Sequence, residues 1–193
     1  MIQKHPPVLI LITGLPCAGK TRIAGALSDA FNLPLIAKDI IKERLFDSIG
    51  WHDRAWSRKL SHASFDILKD MTSALLKTNI SCLIEGNFSP KNHSPGFQNL
   101  HRLYPHSLIQ ILCYAKADVL IARFEARIAQ KTRHPGHLDE LLLDELRPEL
   151  RQGKSGFLKL DGPKLEVDTS DEKNINLTQV RDTIRQYLIM ETK

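Results

Sequence analysis

The sequence predicts a single α/β domain over residues 1–193, in which a parallel sheet lies between two layers of helices. Its 193 residues match the length of one ordinary domain. Short apolar runs of strand length alternate with longer stretches of helical periodicity, which is the pattern of repeated strand–helix units. The sequence contains no internal repeat, low-complexity tract or linker that would divide it. Five strand candidates separated by helices therefore predict a three-layer α/β sandwich.

The first half of the chain contains two predicted strands and three predicted helices. Residues 8–13 form a β-branched and leucine-rich run, and Lys20–Phe31 follows with apolar residues at helical spacing on one face. A short strand is predicted at Leu35–Ala37, and a long helix at Arg54–Lys77. Between them a helix is expected from residue 40, on the spacing of Ile41, Leu45 and Ile49. Both strands are thus followed directly by a helix.

The second half continues this alternation with one predicted interruption. Residues 80–84 and 108–114 are apolar runs of strand length. Between them, residues 86–98 are rich in Ser, Pro, Asn and Gly, which predicts a loop. The remaining predicted elements are helices at residues 117–128, 138–150 and 175–190 and a strand near residues 165–167.

The composition excludes several classes of protein. Apolar residues make up 42% and charged residues 25%, and no apolar run approaches the roughly 18 residues that a membrane helix needs. The first apolar run is too brief for a signal peptide and lacks a cleavage site, so we expect a buried strand there. The three widely spaced cysteines argue against a disulfide framework or a zinc site and favour the cytoplasm. A net charge of +5 favours phosphorylated partners without indicating nucleic acid.

Residues 14–21, GLPCAGKT, match the pattern G-x-x-x-x-G-K-[ST] between a predicted strand and a predicted helix. A chance match in a chain of this length is on the order of one in a hundred. We therefore expect a phosphate-binding loop rather than an incidental glycine turn. The residues expected to bind the nucleotide here are Gly14, Leu15, Pro16, Cys17, Ala18, Gly19, Lys20, Thr21 and Arg22.

Each residue type in this loop has a chemical reason. Gly14 and Gly19 permit backbone conformations and close approaches that a Cβ would block, so the loop amides can turn inward around a phosphate chain. Lys20 supplies a cation for the outer phosphates, and Thr21 supplies a hydroxyl ligand for Mg²⁺. Cys17 is either a thiol made reactive by these amides and Lys20 or a small residue in a tolerant position, and the second interpretation is favoured.

The loop alone does not name the reaction. GTPases need a base-reading N-K-x-D, which this sequence lacks. Motor, AAA+ and transporter ATPases are usually longer and carry an apolar strand that ends in Asp or Asp-Glu, whereas the matching strand here ends in Glu85. Kinases of small molecules fit the length best. They require a group that orients the acceptor hydroxyl, cations over the transferred phosphoryl group and a lid against water.

Asp39 is the candidate for orienting the acceptor, because it follows the second predicted strand, at the edge where ligands of parallel sheets bind. Its alternative role is a helix N-cap, and the two roles are compatible. The flanking lysines are expected to be solvated, whereas Arg44 could contact an anionic substrate. Glu85 either contacts the substrate, orients Mg²⁺ through water, or is simply an exposed carboxylate at a strand end. Asn87 and Phe88 follow it and could line the acceptor pocket.

A cationic stripe follows the fourth strand. Arg123, Arg127 and Lys131 share one helix face, and no acid on that helix is placed to pair with them. Three interpretations of such a stripe are open. It binds phosphates, which arginine can clamp through two hydrogen bonds. Otherwise it is paired by acids from elsewhere in the fold, or it remains a solvated face. Residues 123–140 are expected to form a lid. Within it, His-Pro-Gly-His at residues 134–137 suits a hinge better than a metal site, because two histidines alone are a weak ligand set.

These motifs, in this order, resemble the small P-loop kinases of the AAA-like predicted-kinase family. That family is related to the kinase domain of polynucleotide kinase and, more distantly, to chloramphenicol phosphotransferase and zeta toxins. The resemblance spans nearly the whole chain and rests on GLPCAGKT, AKDIIKERL, IEGNF and ARFEARIAQKTRHPGHLDE. It implies the three-layer fold of P-loop NTPases, with five parallel strands in the order 2-3-1-4-5, and ATP with Mg²⁺ as the phosphate donor.

The resemblance also implies roles for particular residues. Asp39 matches the acid that activates the acceptor, and Arg123 and Arg127 match lid arginines that contact phosphates. Asp168 and Thr169 match the end of the last strand, near the adenine of the nucleotide. Glu85 departs from the Asp of many relatives, and its Glu-Gly pair is closer to that of zeta toxins, which leaves the acceptor open.

The sequence therefore predicts an ATP-dependent phosphotransferase that moves the γ-phosphate of ATP to a hydroxyl group of an unidentified small-molecule or nucleotide-like acceptor. Its expected catalytic residues are Lys20, Asp39, Arg123 and Arg127. Two alternatives stay open: a nucleotide-binding regulatory ATPase module, and a polynucleotide 5′-hydroxyl kinase. Aromatic residues make up only 6% of the chain, which disfavours the polynucleotide kinase because bases stack on such side chains. No membrane partner is expected, and the sequence predicts no particular oligomeric state.

Overall fold

The fold is built on a five-stranded parallel sheet, in a computed structural model that describes residues 6–191. The strands are β1 (Val8–Gly14), β2 (Leu35–Ala37), β3 (Cys82–Glu85), β4 (Ser107–Tyr114) and β5 (Lys164–Asp168). All neighbouring strands pair in parallel, in the order β2-β3-β1-β4-β5. This confirms the predicted sheet, its strand order and the three-layer fold.

Seven helices cover the two faces of the sheet in the described part of the chain. They are α1 (Lys20–Phe31), α2 (Lys38–Ile49), α3 (Arg54–Lys77), α4 (Pro90–Leu103), α5 (Ala117–Gln130), α6 (Asp139–Leu150) and α7 (Thr178–Glu191). Six of them correspond to predicted helices. None of the described helices is both long enough and apolar enough to cross a membrane.

The core consists of two apolar clusters, one on each face of the sheet. Every residue of β1 is buried, because a central parallel strand is covered by helices on both sides. Alternate side chains of β1 contribute to different clusters. Ile10 and Ile12 belong to the cluster that contains residues of α1, α5, α6 and α7, whereas Leu9 and Leu11 belong to the cluster with residues of α3 and α4.

Helix α4 corrects the prediction of a loop over residues 86–98. Pro90 occupies the first turn of α4, where its missing N–H costs nothing, although Pro95 lies inside the helix. The buried residues Ser94, Phe97 and Leu100 recur every three positions and face the core. Burial of this face therefore stabilises a helix that the local composition of Pro, Ser and Gly disfavours.

The carboxyl ends of three adjacent strands bring the candidate residues together. Glu85, at the end of β3, is in register with Ile12 of β1 on one side and with Ala37 of β2 on the other. The phosphate-binding loop leaves β1 beside it, and Asp39 follows β2 on its other side. This edge of the sheet is where ligands of open α/β folds bind.

Candidate active site

The loop between β1 and α1 requires glycine at two positions. A Cβ at Gly14 would collide with the carbonyl oxygen of Cys113 on the neighbouring strand. Gly19 has a φ of 74° and immediately precedes α1, and Cys17 has a φ of 64°. These left-handed conformations turn the loop back on itself before the helix starts. The positive end of α1 is thereby placed at the loop, as in phosphate-binding sites.

The first two residues of α1 supply polar groups beside this loop. Lys20 Nζ donates a hydrogen bond to the carbonyl oxygen of Leu15 at 2.9 Å, across the loop. Thr21 Oγ1 donates to Glu85 Oε2 at 3.3 Å. A hydroxyl group beside a carboxylate is an oxygen donor set that suits Mg²⁺, which proteins bind through one or two carboxylates together with substrate phosphates. Thr21 and Glu85 therefore fit a magnesium ion.

Glu85 is buried, with only 4% of its surface exposed, so the interpretation as an exposed carboxylate at a strand end is wrong. Burial raises the pKa of Glu85, and the positive charge of Lys20 partly opposes this effect. A divalent cation at this position would favour the ionised carboxylate, since the ion is the largest charge in such a site. The buried position of Glu85 therefore suits a carboxylate that binds a divalent cation.

Asp39 lies in the first turn of α2, where its side chain is 42% exposed and contacts two cations. The N-cap of α2 is Ala37, so the alternative role of Asp39 as the cap is wrong. Lys38 Nζ donates to Asp39 Oδ1 at 3.0 Å, and Arg133 Nη2 donates to Asp39 Oδ2. Burial alone would raise the pKa of Asp39, but the charges of Arg133 and Lys38 outweigh it and hold that pKa well below its usual range. The ionised carboxylate can accept a hydrogen bond from a hydroxyl group.

Arg127, Arg133 and Asp139 form an ion network between α5 and the start of α6. Arg133 Nη1 donates to Asp139 Oδ1 at 3.3 Å, so one guanidinium group links Asp139 to Asp39. Arg127 Nε lies 2.8 Å from Asp139 Oδ2 but is not directed at it as a hydrogen bond. Among the described residues, the buried Nη2 of Arg127 has no hydrogen-bond partner. A buried guanidinium group with unused donors is suited to a phosphate.

Arg123 has different partners from those of Arg127 and Arg133. Its Nη2 donates to the carbonyl oxygen of Thr169 at 2.6 Å, and its Nη1 lies 3.3 Å from Thr169 Oγ1 and 3.4 Å from the carbonyl oxygen of Cys17. Glu172 Oε1 pairs with it at 3.0 Å. Arg123 therefore ties the end of β5 to the phosphate-binding loop.

A short turn at Pro135–His137 packs against α2. Gly136 lies against the ring of Phe46, where a Cβ would come within 2.7 Å of ring carbons. Burial lowers the pKa of His137 to about 2, so the neutral ring donates from Nε2 to Glu43 Oε1 at 2.9 Å. In the described residues, no group of three His, Cys, Asp or Glu side chains could hold a metal ion.

These groups line one cleft of about 710 Å³, which is within the usual size range of ligand sites. Nine lysine or arginine residues line it, against four acidic ones. The cations are Lys20, Arg22, Lys38, Lys42, Arg54, Arg58, Arg123, Arg127 and Arg133, and the acids are Asp39, Glu43, Glu85 and Asp139. A cleft with this excess of one charge attracts anions such as nucleotide phosphates.

Comparison with known proteins identifies the family. The model of the family AAA_33, described as an AAA domain, matches residues 9–152. The chain belongs to the AAA_33 family. It is similar to a candidate kinase from Chloroflexus aurantiacus J-10-fl, with 37% identity over 95% of this chain and 99% of that chain and a TM-score of 0.86. The resemblance to small P-loop kinases is thereby confirmed.

Two more distant solved structures share the fold of this AAA_33 chain. One is a sugar kinase from Janibacter sp. HTCC2649, with 16% identity, 94% of each chain covered and a TM-score of 0.54. The other is a gluconokinase from Sinorhizobium meliloti 1021, with 15% identity, 97% of this chain and 95% of that chain covered and a TM-score of 0.51. No curated protein matches the sequence. The chain is a nucleotide-binding P-loop protein of the kinase type.

The cleft of this AAA_33 domain brings together most of the predicted site residues. They are Pro16, Cys17, Gly19, Lys20, Thr21, Arg22, Asp39, Glu85, Asn87, Arg123 and Arg127. Gly14, Leu15 and Ala18 belong to the same loop but are buried. Arg123 and Arg127 are only about one-fifth exposed, at 20% and 19%, and acids from other elements pair with both. The interpretation of these two arginines as a solvated face is therefore wrong.

Other predicted residues lie outside the cleft. Arg44 is exposed and pairs with Asp47 of its own helix at 3.3 Å. Phe88 is buried in the core, with its ring centroid 5.4 Å from that of Phe97. Asp168 ends β5 and accepts a hydrogen bond from a backbone amide two residues later, and Thr169 packs against Gly19. Neither Arg44 nor Phe88 is therefore placed to contact a substrate in the cleft.

Lys38 and Lys42 are functional candidates that differ from the expectation from sequence, which is that lysines flanking Asp39 are solvated. Both are buried, and with Phe46 they form the buried face of α2 at intervals of four residues. Lys42 Nζ donates to Ser57 Oγ at 3.0 Å, and burial lowers the pKa of Lys42 to about 7. The sequence shows the same spacing of four, but apolar periodicity favours the set that includes Ile49, and Ile49 is exposed.

Arg54 and Arg58 also line the cleft, although nothing in their local sequence singled them out. Both donate to Glu145 Oε1 at 2.9 Å and so connect α3 to α6. Burial raises the pKa of the Cys17 thiol, although Arg127 and Lys20 oppose it. The thiol form is therefore favoured, which supports the interpretation of Cys17 as a small residue that fits the loop.

Proposed function

We propose that this chain transfers the γ-phosphoryl group of ATP to a hydroxyl group of an acceptor molecule. The observation that carries the proposal is the position of Asp39. This ionised and partly exposed carboxylate lines the same cleft as Lys20, Thr21 and Arg127. Phosphoryl transfer needs an anion receptor and a group that holds the acceptor hydroxyl close together, because positioning and electrostatic stabilisation supply most of its rate gain.

The donor side of the site follows from the loop. Its backbone amides and Lys20 bind the β- and γ-phosphates, after Lys20 exchanges its bond to the Leu15 carbonyl oxygen for the phosphate. Thr21 and Glu85 would hold Mg²⁺, which would supply positive charge to offset the negative charge of the phosphate oxygens. The resemblance to P-loop kinases assigns Asp168 and Thr169 to the adenine side of the nucleotide, and Arg123 joins this strand end to the loop.

The acceptor side follows from Asp39. Its carboxylate accepts a hydrogen bond from the hydroxyl group and aligns that oxygen with the γ-phosphorus. A bond forms between the acceptor oxygen and the phosphorus, the bond from the phosphorus to the bridging oxygen breaks, and ADP leaves with that oxygen. The low pKa of Asp39 makes it a weak base. It therefore acts mainly by orientation and receives the proton late, as the loose transition state of phosphoryl transfer allows.

Arginines of residues 123–140 complete the site and act as part of a lid. The unused donors of Arg127 stabilise charge on the transferred phosphoryl group, where an arginine has its largest effect. Arg133 holds the Asp39 carboxylate, and Arg123 keeps the loop in place. The packing of Gly136 on Phe46 connects this lid to α2, which carries Asp39.

The test is ATP consumption measured as ADP release with and without a panel of alcohols, which includes sugars, polyols, nucleosides and an oligonucleotide with a free 5′-hydroxyl group. We expect one class of alcohol to stimulate ADP release and to gain a phosphate. The variant Asp39→Asn should lose transfer and retain ATP binding, since the amide cannot accept the hydroxyl proton. Transfer by Asp39→Asn at the rate of the unchanged protein would refute the role of Asp39.

The two alternative functions give different results in the same assay. A regulatory ATPase module would release ADP slowly and independently of every alcohol. A polynucleotide kinase would phosphorylate only the oligonucleotide, with an affinity that falls steeply as salt rises.

A further inference from the structure

A second cavity of about 470 Å³ lies between α3 and α4 and adjoins the cleft. Ser61, His62 and Asn87 line both spaces, so the two spaces meet at these three side chains. We call the second space the α3–α4 groove. Its size is sufficient for a small organic molecule.

The α3–α4 groove begins close to Asp39, with the side chain of Lys38 between them. Lys38 Nζ, which is bound to Asp39, lies 5.5 Å from the centroid of the Phe65 ring, and Phe65 lines the groove. A molecule whose hydroxyl group is held by Asp39 can therefore extend into the groove past Phe65. The groove leads away from the phosphate-binding loop, because its other lining residues belong to α3 and to the segment after Glu85.

The groove differs from the cleft in its charge. Among the described residues that line it, the only Asp, Glu, Lys or Arg side chains are Asp66 and Lys69, which pair with each other at 3.2 Å. Burial lowers the pKa of His93, which favours the neutral ring. His93 Nδ1 lies 2.8 Å from the amide nitrogen of Ser89 and 3.2 Å from its carbonyl oxygen, so the backbone of Ser89 holds this side of the ring. The groove thus carries no excess charge that would bind a phosphate or a carboxylate.

The groove also contains unused hydrogen-bonding groups above an apolar floor. The side chains of Ser61, Asn87 and Asn92 line it, and in the described part of the chain they form no hydrogen bonds. Hydroxyl and amide groups both donate and accept, as the hydroxyl groups of a polyol do. The rings of Phe65 and His93, with centroids 4.2 Å apart, provide an aromatic surface for the C–H face of a ring.

We propose that the α3–α4 groove binds the body of the phosphate acceptor, and that this acceptor is an uncharged polyhydroxylated compound such as a sugar or a cyclitol. The assignment rests on the proposed function, since Asp39 must hold the reacting hydroxyl group at the mouth of the groove. The donor and acceptor groups of Ser61, Asn87 and Asn92 bind the remaining hydroxyl groups. The excess positive charge of the cleft is then used for ATP rather than for the acceptor.

The test measures equilibrium binding by calorimetry or ligand-observed NMR in the absence of nucleotide. The probes are maltose, sorbitol and myo-inositol, compared with glucose 6-phosphate, gluconate and adenosine. The variant Gly96→Leu fills the groove, because Gly96 lines it and an added Cβ would meet no atom closer than 4.0 Å. Gly25→Leu is the matched control, since Gly25 also lies within a helix with open space around it and outside both cavities.

We expect at least one uncharged probe to bind and Gly96→Leu to weaken its binding tenfold or more, whereas Gly25→Leu leaves it unchanged. ATP binding, measured separately, should be equal in all three proteins. Failure of every uncharged probe to bind, equal binding by Gly96→Leu, or preference for adenosine or a charged probe would overturn the assignment. If the unchanged protein does not bind ATP, the proposed function is overturned instead. Failure of the groove assignment and failure of the proposed function are therefore distinguishable.

Discussion

Replacement of Arg133 by glutamine tests whether Arg133 positions the carboxylate of Asp39, to which we propose that the acceptor binds. In the folded protein Arg133 contacts both Asp39 and Asp139, while Lys38 holds the other oxygen of Asp39. Arg133→Gln removes the charge and keeps a polar side chain of similar length. The Asp39 carboxylate then retains one cationic partner, and its orientation is less restricted.

The expected magnitudes follow from exposure. Breaking a fully buried ion pair costs about 3–5 kcal/mol, and an exposed pair contributes about 0–1 kcal/mol. The side chains of Arg133 and Asp39 are 23% and 42% exposed, so we expect a loss of about 1–2 kcal/mol in the free energy of unfolding. Misplacement of Asp39 by a fraction of an ångström should lower kcat by about 10- to 100-fold.

The pH dependence has a definite sign. The pKa of Asp39 is depressed in the folded protein, so Asp39 stabilises the fold above its unfolded pKa of about 4, and this stabilisation is lost as the pH falls through the folded pKa. Arg133→Gln raises the folded pKa, because burial is then opposed mainly by Lys38. Compared with the unchanged protein, Arg133→Gln should have a lower free energy of unfolding mainly above pH 4. As the pH falls, its activity should begin to decline at a higher pH than that of the unchanged protein.

The assays are carbon NMR of the Asp39 carboxyl group, denaturant unfolding and steady-state kinetics with the alcohol identified by ADP release. Arg185→Gln is the matched control, since Arg185 pairs at 2.8 Å with Asp182 on the same helix, away from the cleft. An unchanged Asp39 pKa together with an unchanged kcat in Arg133→Gln would refute the positioning role.

Three further predictions concern the loop, α2 and the turn that packs on it. Lys20→Ala should abolish measurable phosphoryl transfer while the circular dichroism spectrum is retained, because the outer phosphates lose their cation. Lys42→Met should raise the free energy of unfolding more at pH 6.5 than at pH 9.5. The two increases, measured by denaturant unfolding, should differ by about 3 kcal/mol. The reason is that the folded pKa of Lys42, about 7, lies below its unfolded value, so folding opposes the charged form at the lower pH. Gly136→Ala should lower the free energy of unfolding by about 1–3 kcal/mol, because the added methyl group overlaps the Phe46 ring, whereas Gly25→Ala should be neutral or stabilising.

Each of these predictions has an outcome that contradicts it. Full turnover by Lys20→Ala would exclude the ammonium group of Lys20 from the reaction. A stability change in Lys42→Met that is the same at both pH values would show that Lys42 is charged in the folded protein throughout. Equal melting curves for Gly136→Ala and the unchanged protein would show that the turn does not pack tightly on Phe46.

Local sequence patterns predict this structure correctly where they agree with tertiary burial and wrongly where the two differ. The strand before GLPCAGKT and the helix after it are both consistent with their tertiary surroundings. Helix α4 was missed because its Pro, Ser and Gly residues favour a loop, and the burial of Phe97 and Leu100 overrides that preference. In α2 apolar periodicity predicts an inner face that includes Ile49, whereas the inner face is Lys38, Lys42 and Phe46. A helix whose inner face lines a polar site does not follow apolar periodicity.

By itself, the sequence determined the parallel α/β fold, the phosphate-binding loop and the placement of Asp39 and Glu85 at strand ends. These features depend on residues that are close together in the sequence. The periodicity of strands and helices is a local property, and so is a loop motif of eight residues. Only the tertiary structure decided which groups pair. Arg133 contacts Asp39 across 94 residues, and Arg123 is bound by Thr169 across 46 residues. Such contacts arise because the sheet places distant strand ends side by side, and the resulting burial and charge set the ionisation of Asp39, Glu85 and Lys42.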